Sequence, residues 1–219
     1  MERLNASGSS SAFRRELFPY GFAGEVMQLL LATWQDFSLH HEVRKETRIT
    51  ALFRDELIAA YVKAGRSWFI TLEDPLTDDT FGTELGRNDL NFFPPQHCGQ
   101  TIYFTVECKR LRVTTASGFR HLADKYVTDG LQRFVDGKYS VGLPCGGMLG
   151  YVMDNEVAQA CAEVRAEITG GLASLKMKNA DSLQCPSSVL PEHPHSADTI
   201  HERSDGNFTV YHLLVGVAQ

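Results

Sequence analysis

With 219 residues, 43% of them apolar, the chain can bury a full core without disulfides or a structural metal. A net charge of −6 and a pI of about 5.7 exclude a protein that coats nucleic acid by bulk attraction. Any polyanion must then meet a local basic groove, or be held with the help of a partner.

Residues 1–15, rich in Ser, Gly and Asn, read as a flexible lead-in, and residues 16–219 as a single domain. The opening MERLNASGSSSAFRREL lacks the apolar run of a secretory signal, and no stretch approaches the ~18 apolar residues of a membrane span. Cys98, Cys108, Cys145, Cys161 and Cys185 are scattered without a CxxC pair, so neither a disulfide framework nor a zinc ribbon is expected. The expectation is a soluble cytoplasmic protein with no membrane contact.

Helical periodicity begins at residues 24–37, where Val26, Leu29, Leu30, Trp34 and Phe37 share a stripe. A second helix is predicted over 42–64, with Ile49, Leu52, Phe53, Leu57, Ala60 and Tyr61 inward and Gly65 ending it. SWFITL (67–72) reads as a strand, EDPLTDDTFGTELG as an acidic loop, and RNDLNFF (87–93) as a second strand stopped by Pro94 and Pro95. In TIYFTVECKR, Ile102, Phe104, Val106 and Cys108 alternate with Tyr103, Thr105, Glu107 and Lys109, which gives one apolar and one polar face. A long helix is then expected from Ser117 to Gly137, carrying Phe119, Leu122, Tyr126, Leu131 and Phe134 inward. MLGYVM reads as a strand after a glycine-rich turn, and Asp154 or Asn155 caps a further helix. Residues 176–205 lack periodicity and read as a long loop, and FTVYHLLVGV closes the chain as a doubly buried strand. The order predicts an α/β domain with a mixed central sheet flanked by helices.

The chemistry concentrates on the third of these strands. Glu107 and Lys109, two apart, project from one face, so a carboxylate can hold a metal beside an ammonium that meets water or phosphate. Asp89 comes within reach of Glu107 if the two strands pair as a hairpin. An alternating Glu and Lys is by itself a common solvated face. Here the opposite face is apolar enough to make the strand central, where charges are seldom displayed without purpose.

GRNDLNFF followed by TIYFTVECKRL resembles the core of the PD-(D/E)XK nuclease superfamily, which is restriction-endonuclease-like in fold. The resemblance implies that Asp89 and Glu107 ligate Mg²⁺ (or Mn²⁺) with the backbone carbonyl of Cys108, and that Lys109 positions the attacking water. Asn88 stands where the pattern has proline. The resemblance also implies a helix-borne acid, for which Glu46 is the choice over Glu42 and Glu56. It suggests an endonuclease acting on DNA, in a setting of anti-phage defence or restriction. With no room for a separate recognition domain, specificity falls to long loops, a homodimer or a partner subunit.

Arg87, Arg110 and Arg112 form a small basic cluster beside the carboxylates, and Lys125, Asp129, Gln132 and Arg133 are polar positions on the following helix. Of these, Arg87, Arg110, Gln132 and Arg133 are the expected substrate contacts, Arg133 being suited to bidentate phosphate binding. Cys185, His193, His195 and His201 match no zinc-finger spacing and read as loop residues; His212, inside an apolar strand, reads as a hydrogen-bonded core histidine. GGMLG lacks the GK(S/T) ending of a phosphate loop. The competing readings are a nuclease-fold subunit that binds nucleic acid or a partner without cleaving, and a metal hydrolase acting on a small phosphate ester.

Overall fold

The structure is a computed structural model and describes residues 7–39, 43–66, 68–77, 84–95, 101–177 and 182–217; the side chains of 7–11, 73–77 and 84–88 lie outside this description. Three helices come first: α1 (Ser7–Leu17), α2 (Phe22–Asp36) and α3 (Glu46–Lys63). Strands β1 (Phe69–Thr77), β2 (Glu84–Phe93) and β3 (Phe104–Leu111) follow, then a small hairpin of β4 (Val113–Thr115) and β5 (Gly118–Arg120). Next comes a helical segment built from α4 (Ala123–Tyr126), a π-helical turn (Val127–Leu131) and α5 (Gln132–Val135). The chain closes with β6 (Cys145–Val152), α6 (Val157–Gly170), β7 (Leu183–Gln184), β8 (Ser196–Arg203) and β9 (Gly206–Gly216).

Among the described residues the large strands form one mixed seven-stranded sheet in the order β1-β2-β3-β6-β9-β8-β7. β3, β6 and β9 run parallel in its middle, while the β1–β2 and β8–β9 neighbours are antiparallel. Alternation along the strands divides the interior into two cores. On one face α2 and α3 bury Val26, Leu30, Ile49, Phe53 and Leu57 against Leu90, Phe92, Phe104, Val106 and Cys108. On the other, the segment from α4 to α6 buries Tyr126, Leu131, Phe134 and Val164 against Met148, Val152, Val210 and Leu214. Each such side chain contributes about 1.5–3 kcal/mol through burial, so the two cores clamp β3 and β6 from both sides.

Several expectations are corrected. The predicted lead-in enters a helix at Ser7. α3 begins at Glu46, with Lys45 in extended backbone at its N-cap, so residues 43–45 are not helical; Glu42 lies outside the described residues. The acidic stretch expected as a loop belongs largely to strands, since Asp74 pairs with Asn88 and Thr77 with Glu84. Backbone pairing, rather than an apolar pattern, extends this ribbon. Pro75 is tolerated because β1 is the edge strand and owes no donor to a further neighbour.

The long helix expected from Ser117 starts only at Ala123. Gly118 (φ +113°) and Leu122 (φ +62°) adopt left-handed backbone, which no α-helix continues, and β-branched Val113, Thr114 and Thr115 pair with residues 118–120 instead. Phe119 is accordingly 44% exposed in a hairpin. The loop expected over 176–205 contains β7 and β8, and β8 pairs with β9 along its length.

Candidate active site

β2 and β3 pair from Phe92↔Phe104 to Leu90↔Val106 and then separate. β2 stays with β1 beyond that point, while β3 continues beside β6 to Leu111↔Val152. A notch opens between them, and it leaves backbone N–H groups of β3 without a strand partner. Two carboxylates take them. Asp89 Oδ2 accepts from Cys108 N at 2.7 Å, and Glu46 Oε2, from the start of α3, accepts from Arg110 N at 2.7 Å.

Glu107 and Lys109 rise from β3 into the same notch. Glu107 is 1% exposed, and the Lys109 ammonium donates to its Oε1 at 2.6 Å. Lys109 also reaches the Cys108 carbonyl at 3.2 Å and Glu46 Oε1 at 3.5 Å. Arg133 approaches Glu107 Oε1 at 3.4 Å and donates to the Tyr139 hydroxyl, whose ring lies under its guanidinium. The second oxygen, Glu107 Oε2, is buried and has no hydrogen-bond partner among the described residues. Leaving such an atom unsatisfied costs about 1–3 kcal/mol or more, so this oxygen has the capacity to take one further donor or cation.

The electrostatics follow from this crowding. Burial, with the Glu107 charge adding to it, pushes the Asp89 carboxyl up to about 7 against the pull of Lys109 and the Cys108 N–H. Burial raises Glu107 too, while Lys109 and Arg133 hold it down. For Lys109, burial works to lower the pKa, but Glu107, Glu46 and Asp89 outweigh it and raise it, so the side chain remains an ammonium. Three acids, Asp89, Glu107 and Glu46, thus share the notch with two cations, Lys109 and Arg133, an arrangement that an added cation would relieve when Asp89 is ionised.

The π-helical turn packs directly over this strand. A Cβ on Gly130 would lie 2.5 Å from Met148 Cε and 3.5 Å from Lys109 Cγ. Glycine lets the turn come this close to Met148 and the Lys109 stem without moving either, while α5 aims Arg133 at Glu107. Sequence reading missed both Gly130 and Tyr139; the DG dipeptide at 129–130 was the available signal.

Of the sequence-predicted residues, Asp89, Glu107, Lys109, Glu46, Arg133 and the Cys108 carbonyl converge on the notch. Arg110 lies at its edge, with its guanidinium donating to the Arg44 carbonyl. The remaining predicted residues do not converge. Gln132 is turned away, bonded to Asp136 and the Ser174 carbonyl, because it faces the α6 side of its helix. Arg112 is committed to Asp154 and Glu163, Lys125 pairs with Asp129, and Glu56 is exposed on α3. The Arg87 side chain lies outside the described residues.

Among the described residues no group of three or more His, Cys, Asp or Glu side chains forms a ready-made metal cage. At the notch, the Lys109 ammonium is interposed between Glu107 and Glu46. In the 185–201 region, His201 is bonded to Leu175 O and Thr199, and His195 sits 3.7 Å from the Cys161 thiol. His212 is the core histidine expected, bonded to Tyr126 and Thr199. No helix among the described residues is long and apolar enough to cross a membrane.

Compared with protein-family models, with curated proteins and with solved structures, the chain has no significant match.

Proposed function

We propose that this chain is a Mg²⁺-dependent (or Mn²⁺-dependent) nuclease of restriction-endonuclease-like fold, acting on nucleic acid and on DNA in particular. The observation that carries the reading is Glu107: fully buried, with one oxygen held by Lys109 and the other without a partner among the described residues, beside an Asp89 whose carboxyl is pushed up to about 7. The donor set fits a hard cation, since Asp89, the free Glu107 oxygen and the Cys108 carbonyl are all oxygen ligands. Bound there, such a cation supplies charge neutralisation at the phosphate and lowers the pKa of an attacking water.

The chain's own residues do the rest. Lys109 holds its proton and orients water or a phosphate oxygen. Arg133, 38% exposed on its side chain, keeps donors available for a non-bridging phosphate oxygen. Glu46 balances Lys109 and ties α3 to β3. A restriction or anti-phage role in the cytoplasm, with a homodimer or partner subunit supplying specificity, belongs to the same reading.

The test is cleavage of plasmid and single-stranded DNA with Mg²⁺ or Mn²⁺ by wild type, Glu107→Ala and Lys109→Ala. Cleavage by wild type that both substitutions abolish in folded protein supports the proposal. Cleavage that survives both sinks it. If none of the proteins cuts, a Mn²⁺ titration that depends on Asp89 separates a partner-dependent nuclease from a non-cleaving nuclease-fold subunit. Activity on nucleotides alone would favour the small-ester hydrolase.

A further inference from the structure

Beyond the notch, at the C-terminal ends of the parallel strands β3 and β6, lies a cavity of about 300 Å³ lined by Arg44, Arg112, Val113, Thr114, Met153 and Asp154. Crevices at the carboxyl ends of parallel strands are the usual ligand sites of α/β sheets. This one starts three residues past Lys109 on the same length of chain. Its floor is apolar, since Val113 and Met153 are buried. Its walls are guanidinium groups in two different states.

Arg112 is fixed and neutralised. Its Nε donates to Asp154 at 2.9 Å, another of its nitrogens pairs with Glu163, and Phe119 lies 5.0 Å from its guanidinium carbon. It therefore offers an ordered plane more than a charge. Arg44 is the reverse. Its backbone is pinned through its carbonyl by Arg110, but its side chain is exposed and forms no ion pair among the described residues. An apolar floor, a rigid planar wall, a free cation and the Thr114 hydroxyl suit a flat heteroaromatic ring joined to a phosphate.

We infer that this cavity binds an unpaired nucleotide of the strand being cut, next to the scissile phosphate, with Arg44 as the clamp on its base and phosphate. The inference rests on the proposed nuclease reading and narrows its substrate class to single-stranded or frayed nucleic acid. A base locked in a duplex cannot enter a recess of this size without leaving its stack.

The experiment measures binding without cleavage, by fluorescence anisotropy of a short fluorescein-labelled single-stranded DNA and its duplex, in EDTA. Wild type is expected to hold the single strand about five-fold or more tighter than the duplex, and Arg44→Ala to lose about five-fold or more on the single strand alone. The salt dependence of single-strand binding should fall by roughly 0.7 in log–log slope, the share of one phosphate contact. Arg44→Lys, which keeps the charge and removes the plane, should restore the slope but not the affinity. Equal binding of both forms, no binding of either, an unaffected Arg44→Ala or full rescue by lysine would each overturn the inference. The nuclease reading is judged separately, by Mg²⁺-dependent cleavage and the Asp89-dependent Mn²⁺ titration: a protein that binds the single strand but neither cuts nor takes Mn²⁺ at Asp89 loses that reading and keeps the cavity.

Discussion

The Asp89 carboxylate accepts the backbone N–H of Cys108 at 2.7 Å, in the place where β2 would have continued the ladder. One turn of the β3 pleat further on, Glu46 does the same for Arg110. The two acids thus substitute for a missing strand, and in doing so they converge on the face that carries Glu107 and Lys109. Separating two strands is therefore what builds the site, because it creates the unsatisfied donors that draw carboxylates in.

Asp89→Asn should make the metal-free protein less sensitive to pH. The Asp89 carboxyl is raised to about 7 in the fold, from 3.8. Its contribution is fully present below about pH 4 and is lost as pH rises through about 7. The amide can still accept from Cys108 N, so Asp89→Asn should equal or exceed wild type in melting temperature at pH 7.5. Mg²⁺ or Mn²⁺ should raise the wild-type Tm and leave the variant unmoved. Thermal melts with and without cation check this, and equal cation shifts in both proteins would count against Asp89 as a ligand.

Lys109→Met removes the ammonium that compensates Glu107 and Glu46. The buried Glu107 carboxylate then has only Arg133 nearby, and the expected cost is about 1–3 kcal/mol at neutral pH. Because the ammonium also competes for Glu107, Mn²⁺ should bind the variant at least as tightly as wild type and recover most of the lost stability. Urea unfolding with a Mn²⁺ titration would show it; a variant neither destabilised nor rescued would refute this account of Lys109.

Gly130→Ala should separate activity from stability. The new methyl meets Met148 Cε at 2.5 Å, and that flexible end can shift, so the stability cost should stay at about 1–2 kcal/mol. The methyl also bears on the Lys109 stem, and any shift of the turn is passed to Arg133 on the following α5, so cleavage should fall by roughly ten-fold or more. Matched denaturation and cleavage assays decide whether the π-helical turn positions the site or merely fills space.

Acid should unfold the protein through its second core. His201 Nδ1 must donate to the Leu175 carbonyl, so Nε2 accepts from the Thr199 hydroxyl; that hydroxyl accepts from His212 Nε2, and His212 Nδ1 accepts from Tyr126. Every proton in the chain points one way, and both imidazoles are neutral. Burial lowers His201 to about 4 and His212 to about 3. Their contribution is present above about pH 6.5 and is lost as pH falls through 4 to 3, on the order of 3 kcal/mol for His201 alone. Thr199→Val breaks the chain in the middle and should cost about 2–4 kcal/mol at pH 7 while leaving the acid limb, which burial sets, in place. Urea midpoints between pH 3.5 and 7 provide the measurement.

Periodicity, and the chemistry it arranges, is legible in the chain alone. The alternation in FTVECKRL placed Glu107 and Lys109 on the face opposite Val106 and Cys108, and the apolar run of β9 marked a strand buried on both sides. Those features are local, because side-chain direction in a strand repeats every two residues whatever surrounds it. The assembled fold sets where β2 leaves β3, brings Glu46 from another element to meet Lys109, and turns Arg133 toward Glu107 while neighbouring Gln132 faces away. It also decided that the acidic stretch would pair as a ribbon and that residues 113–120 would turn before the helix begins. These outcomes depend on non-local pairing and on left-handed backbone at Gly118 and Leu122, neither of which leaves a periodic trace in the chain.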